Sequence, residues 1–98
     1  MLVYPRAALG HLALDRGKPQ LAVPLLEAAR TGTASTDPVE LAELDFLLAR
    51  ALWEGNGDRV RALELARAAA PALHGSNDAL AAEATAWLKV HDRKASRN

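Results

Sequence analysis

Three histidines, His11, His74 and His91, are the residues of this chain best suited to hold a metal or carry a proton. A helical zinc site needs two such rings about four residues apart, or cysteines to complete the ligand set. The three lie far apart in the sequence and cysteine is absent. Surface or capping roles are expected for them, with no metal and no cofactor. Glu40 and Glu43 share a helix face, and paired carboxylates can do acid–base chemistry. Their place in the first turn of a helix, where the dipole favours negative charge, accounts for them without a substrate. Ser35, Ser76 and Ser96 have no base near them in sequence to activate a hydroxyl. No catalytic residue emerges, and the chain reads as a non-enzyme.

The remaining residues of interest are types that contact rather than react. Trp53, Phe46 and Arg50 lie close together, and aromatic residues and arginine are enriched where proteins bind one another. Trp53 has a second reading, in which it packs under the last helix against Trp87. Arg59, Arg61 and Arg67, with Lys89, Arg93, Lys94 and Arg97, could together present a basic face to nucleic acid. Twelve basic and twelve acidic residues cancel, however, so nothing demands a polyanion partner. Glu40, Glu43, Asp45 and Glu54 are available for pairing between helices, so nucleic acid is not expected. No apolar run reaches the length of a membrane span, and His11, Asp15 and Arg16 interrupt any signal-like core near the start. A cytoplasmic protein with no membrane contact is the expectation.

The elements that position these residues are helical throughout. Half of the 98 residues are apolar, many of them alanine, and only four are aromatic, which suits close helix packing better than strands. The spacing predicts a first helix over 3–16, with Val3, Leu9, Leu12 and Ala13 on its apolar stripe. Gly17 closes it and Pro19 opens a second helix to about Arg30, carrying Leu21, Ala22, Leu25, Leu26 and Ala29. Pro24 should bend that helix or free the carbonyl of Gln20. After the loop-like tract 31–37, Asp37-Pro38-Val39-Glu40 reads as a capped start with a capping-box carboxylate. The third helix then runs to about Glu54, with Leu41, Leu44, Leu48, Ala51 and Leu52 on one face. Gly55-Asn56-Gly57 supplies positive-φ residues for a turn, Asp58 caps a fourth helix, and that helix ends near Pro71. A fifth covers roughly 79–91 with Leu80, Ala84, Trp87 and Leu88, followed by a frayed charged tail.

The first four helices repeat. Leu9, Gly10 and Asp15 correspond to Leu48, Ala49 and Glu54; after the turn, Ala22, Leu25 and Ala29 correspond to Ala62, Leu65 and Ala69. Gly10 with Ala22, and Ala49 with Ala62, fall where paired helices would cross, and small side chains permit close approach there. Neither hairpin can bury its apolar face alone, so the two should stack on a shared core.

At this point the chain resembles the tetratricopeptide-repeat family, on Leu9-Gly10 with Ala22 and Leu26, and on Leu48-Ala49 with Ala62. The resemblance spans 3–70 as two degenerate repeats of a kind common in bacterial proteins, hairpin 3–30 and hairpin 38–70, with a cap helix within 78–91. Arg6 and Asp45 stand at the family's tryptophan position, Ala13 and Leu52 at its tyrosine position, and Ala66 where a large residue is usual. The implied fold is all-α, a right-handed stack of antiparallel hairpins forming a single domain over 1–98. The start without an N-terminal cap and the alanine-rich final helix suggest a segment of a longer protein. The implied role is a protein-interaction or scaffold module that binds a partner segment or neighbouring repeats. Its groove residues would be Tyr4, His11, Leu14, Glu43, Phe46, Arg50 and Trp53. The alternative is a regulatory or nucleic-acid-binding helical domain using Arg59, Arg61, Arg67 and the basic C-terminus. Leu2, Val3, Tyr4, Ala8, Leu12 and Leu14 leave the first helix little polar surface, so a homodimer through it is expected.

Overall fold

The chain alternates short glycine- or proline-marked breaks with long alanine- and leucine-rich runs, and each run is a helix. In the computed structural model, which describes residues 6–32 and 36–96, these are α1 (Arg6–Asp15), α2 (Pro19–Gly32), α3 (Pro38–Glu54), α4 (Arg59–Leu73) and α5 (Asp78–Ser96). No strand occurs among the described residues, and the fold is all-α. Each helix packs against the next in sequence, and α1 also touches α3.

Two kinds of local signal set the helix boundaries. At the starts, Asp37 accepts a hydrogen bond from the Val39 amide at 2.9 Å, with Pro38 as the first helical residue. Asp58 accepts from the Arg61 amide at 3.0 Å. Each carboxylate satisfies an amide that the helix leaves without a partner. At the ends, α1 and α3 close in the same way. The Lys18 amide donates to the Ala13 carbonyl and the Gly17 amide to that of Leu14; the Gly57 amide donates to Leu52 and that of Asn56 to Trp53. This doubly bonded cap requires a left-handed residue, supplied by Gly17 at φ 72° and by Asn56 at φ 58°. Asn56 therefore takes the positive φ, and Gly55 and Gly57 do not. Both lie close to the helix end instead: a Cβ on Gly55 would sit 3.0 Å from the Ala51 carbonyl oxygen, and one on Gly57 3.2 Å from that of Leu52. Thus the repeat extends to its caps, with Ala13, Leu14 and Gly17 matching Leu52, Trp53 and Asn56.

The core lies between the helix pairs and is built mostly from alanine. Ala22, Ala49, Ala51, Ala62, Ala66 and Ala84 are fully buried, and the larger side chains wedged among them are Leu26, Phe46, Leu48 and Leu73. Gly10 marks the α1–α2 contact most sharply. A Cβ there would fall 2.6 Å from Leu26 Cγ and 3.5 Å from the Ala22 carbonyl oxygen, so the helices meet where only hydrogen fits. Ala62 on α4 corresponds to Ala22 in the repeat and is likewise fully buried. Leucine at position 62 should cost about 1–3 kcal/mol by overpacking, read as a lowered urea midpoint; an unchanged midpoint would remove Ala62 from the contact.

Several expected faces are rotated. Among the described side chains of α1, Gly10, Ala13 and Leu14 are buried, whereas Leu9 and Leu12 are 38% and 46% exposed. This helix is apolar nearly all round, so spacing alone cannot choose its inner side. Leu21 is exposed because α2 buries Ala22 and Leu26 instead. Pro24 stays on the outside and α2 continues through it to Gly32. Likewise Pro71 lies within α4, which ends at Leu73, and α5 extends through the expected tail to Ser96. The first two residues of the tract 31–37 are helical, and 33–35 lie outside the described residues.

Candidate functional site

The residues expected to line a groove follow different fates, and α5 decides most of them. Phe46 projects from α3 into the core and is fully buried; Leu14 is 5% exposed and belongs to the same core. Neither presents surface to a partner. They were placed on a groove face by correspondence between first helices, but α5 lies over that side of α3. Tyr4 lies outside the described residues. His11 is exposed on α1, 3.8 Å from Asp15 one turn away.

Glu43, Arg50 and Trp53 also face α5. The Asn77 side-chain amide donates to Glu43 at 3.2 Å, just before α5 begins. Arg50 lies 3.8 Å from Glu83 and 3.7 Å from Glu54, bridging α5 and its own helix. Trp53 meets Trp87 edge to face, with ring centroids 5.8 Å apart. Of its two readings, packing under the last helix is the one observed. Trp87 also meets the Phe46 ring edge-on at 6.1 Å. Such perpendicular pairs place the positive edge of one ring on the negative face of another.

His91 completes this cluster. It stacks on Trp87 at 4.2 Å with the rings 20° apart, and meets Trp53 at 4.8 Å. Its Nδ1 lies 2.7 Å from the Trp87 carbonyl oxygen. A carbonyl can only accept, so Nδ1 carries the hydrogen and donates. On the open side of Trp53 the Arg59 guanidinium sits 4.8 Å above the ring, while its Nη2 donates to Asn56 at 3.0 Å. The assembly is a filled aromatic seam between α3 and α5. Its spacing was legible in part, because 46, 50 and 53 share one side of a helix, as do 83, 87 and 91 on theirs. The stacking of His91 left no sequence signal.

Among the described residues, charges on α2 to α4 are met by pairs. Arg61 on α4 pairs with Glu27 on α2, and Arg67 on α4 reaches Asp92 on α5 at 2.6 Å. Arg30 on α2 donates through Nε to Asp45 on α3 at 2.8 Å. Every arginine proposed for a basic face on α4 has an acceptor or a ring within the protein. The Arg61–Glu27 and Arg67–Asp92 pairs are half-exposed and add little stability each, whereas Asp45 in the third is largely buried. Exchanging Arg67 for alanine should therefore change stability by less than about 1 kcal/mol in thermal unfolding. A larger loss would make the Arg67–Asp92 pair a structural fastening of α5.

No group of three or more metal-ligating side chains converges among the described residues. No described helix is long and apolar enough to cross a membrane. No protein-family model, curated protein or solved structure matches the chain.

Proposed function

We propose that this chain is a tetratricopeptide-like scaffold module of a larger, bacterial, cytoplasmic protein, making contact through its outer helix faces rather than through an inner groove. The stack would be right-handed, with α1–α2 and α3–α4 as its two repeats and α5 as the cap. Supporting this reading are the paired small residues Gly10 and Ala49, the matching caps at Gly17 and Asn56, and the equal burial of Ala22 and Ala62. Because α5 fills the side of α3 that carries Phe46 and Trp53, the protein-binding role moves to α1.

The observation that carries the proposal is the half-exposed pair Leu9 and Leu12 on α1. Apolar side chains of this size, grouped on one helix, favour contact with a partner segment, a neighbouring repeat or a second copy of the chain. Equal and dispersed charge suits a protein partner, and the pairing of Arg61 and Arg67 with carboxylates supports it over nucleic acid; the side chains of Arg93, Lys94 and Arg97 lie outside the described residues. An isolated chain should associate through α1 at micromolar concentration. Sedimentation equilibrium tests it: Leu12→Glu should weaken association, whereas equal behaviour of the two proteins would show that α1 contributes no contact.

A further inference from the structure

The outer side of α5 bears a groove of about 580 Å³ that runs from His74 and Asp78 past Ala82, Thr85 and Ala86 to Lys89. Its floor is alanine, and its two ends carry opposite charge. Positions 78, 82, 85 and 89 follow one another at helical spacing on a single face, so Asp78 and Lys89 stand roughly 16 Å apart along the axis. All four residues are exposed. Lys89 has no ion-pair partner among the described residues, in contrast to Arg50, Arg61 and Arg67. Asp78 accepts one hydrogen bond, from the Gly75 amide at 2.7 Å, which leaves its second oxygen open to another donor.

We infer that this groove takes the same groove of a second copy, with the two α5 helices antiparallel about a twofold axis between positions 82 and 85. In that arrangement Asp78 of each chain faces Lys89 of the other. Ala82 meets Thr85, with the exposed Ala86 beside them, so no large side chain holds the axes apart. Parallel pairing would instead oppose like charges at both ends. Thr85 can enter the contact at little cost, because its hydroxyl already donates to the Ala81 carbonyl at 2.9 Å. The charge pattern suits a second copy, because an antiparallel helix with acid and base at this same spacing satisfies both ends together. One helix pair buries less than a standard interface of roughly 1,600 Å², so the association should be weak and sensitive to salt.

The contact is independent of the one proposed on α1, and Leu12→Glu separates them. In that background, sedimentation equilibrium from about 10 to 500 μM should still show a monomer–dimer equilibrium. Lys89→Glu, added to it, places acid against acid at both ends and should weaken dimerisation at least about tenfold. Asp78→Lys should do the same with base against base. A mixture of these two variants should restore the dimer as a heterodimer, and a far-ultraviolet circular dichroism check confirms that each is folded. Should Asp78→Lys fail to fold, the single variant at Lys89 against its parent still decides. A monomer in the Leu12→Glu background at every concentration, or a dimer indifferent to Lys89→Glu, would overturn the inference.

Discussion

Replacing Phe46 with alanine should remove about 3–5 kcal/mol of folding stability. The ring is fully buried and meets Trp87 edge-on across the α3–α5 seam. Alanine would leave a cavity in a core built largely from alanine, which has no longer side chain to swing into it. A domain of this size has about 5–15 kcal/mol in total, so the variant should be partly unfolded near 37 °C. Urea unfolding followed by circular dichroism gives the value. A loss below about 1 kcal/mol would return Phe46 to the surface, where it would be available to a partner.

Trp87→Ala acts on the other side of the same seam and should cost about 3 kcal/mol, with a different signature. This ring touches Phe46 and Trp53 and stacks with His91, whereas the other aliphatic contacts of α5 are Ala81, Ala84, Leu80 and Leu88. Removing it should loosen α5 before the rest. Hydrogen exchange should accelerate across 78–92 while α3 and α4 keep their protection, and Trp53 fluorescence should shift to the red as water reaches the ring. Uniform acceleration of all helices would instead make α5 an inseparable part of one cooperative unit.

The extent to which this fold is legible in the sequence depends on how each helix is used. α3 begins at Pro38 and ends at Glu54, where its cap and turn residues place it, because Asp37 and Asn56 act through local hydrogen bonds. Gly10 and Ala22 are legible as a contact because a small residue in a leucine-rich helix has few other uses. α1 is different: with leucine at 9, 12 and 14, its inner side is set by Leu26 reaching into Gly10, a tertiary fact. Leu14 and Phe46, expected in the groove, are buried instead for a related reason. Correspondence between first helices places Leu14 and Trp53 alike, yet Leu14 ends in the core, and Trp53 meets α5 through a tryptophan 34 positions away. Type and spacing mark aromatic residues as sticky but do not say which surface claims them.

Amide hydrogen exchange on the unsubstituted chain under native conditions tests most directly whether α5 seals the side of α3 that would otherwise be a binding groove. The amides of α5 between Ala81 and Leu88 should exchange slowly, within about tenfold of the protection seen in α3 at Leu48–Leu52, because both helices bury their inner faces in one core. Exchange of α5 at rates near those of an unfolded peptide, with α3 still protected, would contradict the account: Trp53, Arg50 and Phe46 would then line an open groove.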